Sequence, residues 1–130
     1  MNYKLYQIHL TEAEHNQVNA EGHNSVPKHR LKLDMSFNDN VAELAKEAMD
    51  KGYYTHVSNI EADSLEGVFE VGNIGPESAI TRLAKMYSVS VADVVETPEG
   101  VRHVVASIGF QQLAYKKIIN SRKVLRGLFL

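Results

Sequence analysis

The sequence predicts one α+β domain, in which helices pack on one face of a mainly antiparallel sheet of about five strands. Three observations predict this fold class. The 130 residues are 44% hydrophobic and 23% charged, as in a globular domain with one core. Runs rich in β-branched residues alternate with runs that carry helix caps and helical spacing. The last two β-rich runs flank a Pro-Glu-Gly turn, which predicts a hairpin.

The chain opens with a β-rich run that predicts a strand over residues 3–9. Thr11 then lies three residues before Glu14, and this capping box begins a helix over 12–20. Gly22 ends the helix, because glycine readily takes the left-handed conformation that follows a helix.

An alternation of period two in residues 30–36 predicts the second strand. Its apolar positions are Leu31, Leu33 and Met35, and Phe37 continues the alternation just beyond its end. Asn40 and Glu43 then repeat the capping-box pattern before apolar residues at helical spacing, which predicts a helix over 41–51.

Aromatic and β-branched residues predict a third strand over 53–60. Two short helices follow, one capped by Asp63 with Glu66 at the third helical position and running to about Val71, and one from Pro76 to about Met86. The last strands are predicted over residues 91–97 and 101–110. The expected core consists of Leu31, Leu33, Leu44, Ala48, Val57, Ile60, Phe69, Val94, Val104 and Ile108.

Composition and charge exclude several classes of function. The net charge is −2, so the whole chain has no basic footprint for nucleic acid. It contains no cysteine, which excludes disulfides and thiolate metal sites. The sequence shows neither a signal peptide nor an apolar run of about 18 residues, so we expect a cytoplasmic protein.

No catalytic or metal-binding constellation is visible in the sequence. The chain has no Gly-x-Ser-x-Gly elbow, and its six histidines lack the spacing of helical or deaminase zinc sites. Residues 82–93 look like part of a helix-turn-helix, but β-branched residues at 94–97 interrupt that pattern. We therefore expect no enzyme activity, no metal and no cofactor.

The better candidate site is a run of carboxylates without basic residues, over 52–81. Glu66 and Glu70 lie one helical turn apart and share a face. Such a face suits a basic partner, although a solvated helix face has the same composition. The candidate partner-binding residues are Glu61, Asp63, Glu66, Glu70 and Glu77.

Residues 114–130 form a basic, amphipathic tail to the domain of residues 1–113. The tail holds five of the fourteen basic residues and none of the sixteen acidic ones, so it carries +5 and the domain −7. Its candidate interaction residues are Lys116, Lys117, Ile118, Ile119, Arg122, Lys123, Leu125, Arg126 and Leu128. Packing on the acidic domain, self-association into a homo-oligomer and binding of nucleic acid are the alternatives, and the high apolar content favours the first two.

Residues 86–96 read Met-Tyr-Ser-Val-Ser-Val-Ala-Asp-Val-Val-Glu and precede Gly100-Val101 and a run that ends in Gly109-Phe110. This pattern resembles the YodL-like proteins of bacteriophages and conjugative elements, and the resemblance covers residues 3–113. Ala92 is a departure, since the family commonly has glycine there. The resemblance implies a small protein of a mobile element and no particular reaction.

Together these features predict a non-catalytic binding protein that inhibits or modulates a host or antiviral-defence protein. A nucleic-acid-associated protein that acts through the basic tail is the alternative.

We expect truncation after Leu113 to lower the melting temperature or change the oligomeric state, because the tail has seven Ile, Val, Leu or Phe side chains. Thermal melting and chromatographic mass of the full chain and the truncated chain test this. Unchanged values, together with a loss of DNA binding on truncation, would instead identify the tail as a nucleic-acid arm whose affinity falls steeply with salt.

Overall fold

A computed structural model describes residues 1–114 as one α+β domain with a six-stranded antiparallel sheet. The predicted fold class is confirmed, with one strand more than expected. The strands are β1 (Asn2–Ile8), β2 (Tyr54–Glu61), β3 (Ile80–Arg82), β4 (Val94–Glu96), β5 (Arg102–Val105) and β6 (Phe110–Gln112). Their order across the sheet is β3-β2-β1-β4-β5-β6. The first strand of the chain therefore lies at the centre.

Four α-helices and two short 3₁₀ turns accompany the sheet. The helices are α1 (Glu12–Glu21), α2 (Pro27–Ser36), α3 (Val41–Asp50) and α4 (Leu65–Asn73), and the 3₁₀ turns are His23–Ser25 and Glu77–Ala79. The predicted capping box at Thr11 is present, with both of its hydrogen bonds to Glu14. Among residues 1–114, no helix is both long and apolar enough to cross a membrane.

The helices cover both faces of the sheet, and the expectation that all of them pack on one face is corrected. Side chains alternate along β1, so Leu5 belongs to one core cluster and Ile8 to the other. The Ile8 cluster includes side chains of α2 and α3, whereas the Leu5 cluster includes Val68 of α4. A sheet whose central strand is apolar on both sides needs this double cover.

Residues 30–36, predicted as a strand, lie in α2 instead. Pro27 stands at the first helical position, where its missing N–H and fixed φ suit a helix start. Leu31 and Met35 are four residues apart and are buried on one side of the helix, while Phe37 is 87% exposed. A period-two pattern contains such i, i+4 pairs, which is why it fits a helix as well.

Three further boundaries differ from the prediction. The helix expected from Pro76 is a single 3₁₀ turn followed by β3, and residues 83–93 form a long β3–β4 loop. The strand predicted over 91–97 is confirmed at its centre as β4, so no recognition helix exists there. The run 101–110 is divided between β5 and β6 by a tight turn.

Most of the predicted core is buried, and the exceptions have local causes. The buried members are Leu31, Ala48, Val57, Ile60, Val94 and Val104. Leu33 and Leu44 are half-buried on the sides of their helices. Phe69 is 42% exposed, and Ile108 is 93% exposed because it lies at the tip of the β5–β6 turn.

Gly72 allows α4 to pack closely against the β3–β4 loop. A Cβ atom at this position would lie 2.2 Å from Cγ2 of Val89, well inside van der Waals contact. Val89 is itself buried in the same core cluster as Val68 of α4. The glycine is therefore required by packing.

We expect Gly72→Ala to lower the free energy of unfolding by about 1–3 kcal/mol, the usual cost of overpacking a core. In a Val89→Ala background, the same replacement should be neutral or stabilising by up to about 1 kcal/mol, because the clashing methyl is gone and alanine favours a helix. Chemical denaturation of the wild type, the two single variants and the double variant measures this coupling. Equal effects of Gly72→Ala in both backgrounds would contradict the packing explanation.

Candidate functional site

The five carboxylates predicted as a partner-binding face do not form one group. Glu61 pairs with the N-terminal ammonium at 2.5 Å. Glu77 forms a two-pronged contact with the guanidinium of Arg82, at 2.6 and 3.2 Å, which lowers the pKa of Glu77. These two charges are compensated, so Glu61 and Glu77 are poor candidates for partner contact.

Asp63, Glu66 and Glu70 remain, and the fold brings Glu99 close to the first two. Desolvation raises the pKa of Tyr3, and the carboxylates of Glu99, Asp63 and Glu66 raise it further. Three carboxylates from two separate parts of the chain therefore act on one hydroxyl group. Sequence reasoning missed Glu99, because its turn reaches this site only through the pairing of β4 with β1.

An apolar notch of about 240 Å³ lies beside these carboxylates. Phe69 of α4, Val105 of β5 and Phe110 of β6 line it, and Glu66 lies on its rim. Asp63, Glu66, Glu70 and Glu99 are exposed and form no ion pair within the described residues. We call the four carboxylates and the notch the α4 surface.

Three of the histidines share one cleft, although they are separated in sequence. His9, His15 and His29 line this cleft. Nδ1 of His23 lies 3.0 Å from Nε2 of His29. The placement of residue 29 in a helix rather than a strand brings them together. Within residues 1–114, no group of three or more histidine and carboxylate side chains has a geometry suited to holding a metal ion.

A buried polar network ties the β3–β4 loop to β1. The Gln7 amide nitrogen donates to the Tyr87 carbonyl at 2.9 Å and to the Asp93 carboxylate at 3.0 Å. The Gln7 amide oxygen accepts from the Tyr87 N–H at 3.0 Å. The same Asp93 oxygen also accepts from the Ser90 N–H at 3.0 Å. Two side chains with 2–3% exposure thus satisfy the polar backbone of the loop.

Asp93 is nevertheless costly to ionise at this position. Burial raises its pKa to about 6, although the hydrogen bonds from Ser90 and Gln7 and the charge of Lys32 oppose that shift. The preceding residue, Ala92, has a φ of +84°, a conformation that favours glycine. Ala92 therefore carries backbone strain, while its carbonyl accepts a 2.6 Å hydrogen bond from the Tyr54 hydroxyl.

No family model, curated protein or solved structure matches this chain. The resemblance to YodL-like proteins stays a prediction. The predicted tail contacts, from Lys116 to Leu128, lie outside the described residues.

We expect the contribution of Asp93 to the free energy of unfolding to fall as the pH rises through the range of about 4 to 6. The pKa of Asp93 is about 6 in the folded chain against 3.8 for an ordinary aspartate, so in this range the folded state binds more protons than the unfolded state. The maximum effect is about 3 kcal/mol, from about 1.4 kcal/mol per pKa unit.

Asp93→Asn is the matched variant, because an amide oxygen can accept the same hydrogen bonds without titrating. The difference in unfolding free energy between wild type and variant, measured by urea denaturation at several pH values from 4 to 7, isolates this group. A difference that stays constant over that range would contradict a raised pKa for Asp93.

Proposed function

We propose that this chain is a non-catalytic binding protein, and that its α4 surface docks a protein partner with a basic, apolar-tipped contact segment. The observation that carries the proposal is the position of Glu66, which lies both on the rim of the apolar notch and in the group of carboxylates around Tyr3. An apolar recess beside uncompensated charge of one sign offers both binding energy and orientation.

The charge of the α4 surface selects the partner. Asp63, Glu66, Glu70 and Glu99 are all exposed and acidic. A Lys or Arg side chain on the partner gains attraction there, whereas an acidic surface is repelled. Because these charges lie in water, each exposed pair contributes only about 0–1 kcal/mol and mainly accelerates association.

The apolar part of the α4 surface supplies the larger contribution. Phe69 is 42% exposed at the notch, and the adjacent turn presents Ile108 with 93% of its surface exposed. Covering such side chains gains roughly 25 cal/mol for each Å² of apolar surface removed from water. A partner that inserts one apolar side chain into the notch and covers Ile108 would use both features.

The class of partner rests on the resemblance alone. YodL-like proteins belong to phages and conjugative elements, and small non-catalytic proteins of such elements often bind host components. We therefore propose a host or antiviral-defence protein of the bacterial cytoplasm as the partner.

The double variant Glu66→Lys, Glu70→Lys tests the charged part of the α4 surface. Immobilised wild-type chain should retain a specific protein from bacterial lysate at low salt, and the double variant should bind it about tenfold more weakly because two attractions become repulsions. Glu21→Lys is the control, since it makes the same kind of charge change at the exposed end of α1.

The apolar part has its own pair of variants. We expect Ile108→Ser to weaken capture of the same protein, whereas Phe37→Ser, which removes a similarly exposed side chain at the end of α2, should not. Capture that is unchanged in both α4-surface variants would reject this surface. Recovery of nucleic acid alone would favour the alternative function of the basic tail.

A further inference from the structure

A cleft of about 340 Å³ opens where β1 ends, between α1, α2 and the β3–β4 loop. Elements other than α4 form this cleft, so it is separate from the α4 surface. Its apolar lining comes from Ile8, Leu10 and Leu33, and its polar lining from His9, His15, His29, Lys32 and Ser36, with Tyr87 on one side. This volume is near the lower end of the range for small-molecule sites.

Two lysines place positive charge at the cleft, and the nearby Asp93 carboxylate offsets that of Lys32 only in part. The Lys32 ammonium donates one hydrogen bond to the Ile8 carbonyl at 3.2 Å, which fixes the side chain and leaves two donors. Lys85 lies over the Tyr87 ring, 5.2 Å from its centroid. Neither lysine forms an ion pair in the described part of the chain. The nearby charge of Lys28 is compensated by Glu14 at 2.8 Å.

The imidazole of His9 has a defined orientation. Gln7 uses its amide nitrogen for Tyr87 and Asp93, so its amide oxygen is the group that faces Nε2 of His9 at 2.9 Å. Nε2 of His9 therefore donates to Gln7. Its Nδ1 has no partner within residues 1–114 and becomes a second donor when the ring is protonated.

His29, which also lines the cleft, is paired with a second imidazole, that of His23. Nε2 of His29 and Nδ1 of His23 lie 3.0 Å apart. One of these nitrogens therefore carries a proton and donates it in a hydrogen bond to the other. Desolvation lowers the pKa of His29, and the neighbouring His23, Lys32 and His15 lower it further. Desolvation and the charges of Lys32, Lys85 and Lys28 likewise lower the pKa of His9. An anion in the cleft would relieve this mutual repulsion.

We propose that this cleft binds the phosphate group of a small phosphomonoester, held by Lys32 and the imidazoles of His9 and His29. The apolar body of the ligand packs against Ile8, Leu10 and Leu33. Where this body includes an aromatic ring, the ring contacts Tyr87. Separate point donors that line one cleft suit a tetrahedral phosphate, whereas a planar carboxylate is best matched by the fork of an arginine.

Phenyl phosphate is the probe, because it combines the phosphate group with a small aromatic body. NMR titration of the full chain should shift the ring resonances of His9 and His29 and leave those of His56 and His103, in β2 and β5, unchanged. Bound phosphate favours the imidazolium forms, so it should raise the pKa of His9 and His29 by about half a unit or more.

Two variants separate the cleft from the basic tail as the source of binding. Lys32→Gln should weaken phenyl phosphate about tenfold or more, the loss expected for a charge-assisted hydrogen bond. Ser36→Asp should do the same from the exposed end of α2 without removing a buried contact. Lys46→Gln is the control for loss of one charge, since Lys46 lies on α3 and pairs with Asp50.

Three results would overturn the proposal. Undiminished binding in both Lys32→Gln and Ser36→Asp, with no shift of His9 or His29, would place the phosphate elsewhere on the chain. Phenol that binds as tightly as phenyl phosphate would show that the cleft is only apolar. Benzoate that binds more tightly would assign the cleft to carboxylates.

Discussion

The central position of β1 is the constraint on which the rest of the structure depends. β1 pairs with β2 on one side and β4 on the other, so both of its edges are bonded. Its C-terminal half is buried on both faces, because Leu5 and Ile8 enter opposite core clusters, whereas Asn2 and Lys4 nearer its start are exposed. Apolar side chains on opposite faces of one strand need cover above and below, and this requirement assigns α2 and α3 to one face and α4 to the other.

The sequence predicted several elements whose signals were local, although Asn40, predicted as part of a capping box, makes no side-chain capping hydrogen bond. The capping box at Thr11, the amphipathic spacing of α3 and the Pro-Glu-Gly turn each depend on a few neighbouring residues, and all are present. The pattern of 30–36 failed because Leu31, Leu33, Met35 and Phe37 satisfy a period of two while also containing pairs at i, i+4. Pro27 was the deciding signal, since it suits the first turn of a helix.

The candidate site could be predicted only in part, because charge compensation depends on tertiary contacts. Sequence proximity grouped Glu61 and Glu77 with Glu66, yet the N-terminal ammonium and Arg82 compensate the first two. Glu99 joins the group across the sheet, although it is remote in sequence. The histidine cleft was missed for the same reason. Its residues come together because His29 lies in a helix and because the β3–β4 loop carries Tyr87 to the same place.

The β3–β4 loop shows how a long irregular segment is made specific. Gln7 and Asp93 hold the loop on one side, and Val89 packs against Gly72 on the other. Burying Asp93 is unfavourable for its charge, but its carboxylate accepts hydrogen bonds from the Ser90 N–H and the Gln7 amide, which attach the loop to β1. The loop that carries Tyr87 to the cleft is the loop that packs on α4 through Val89, so one polar anchor on the central strand supports both proposed binding surfaces.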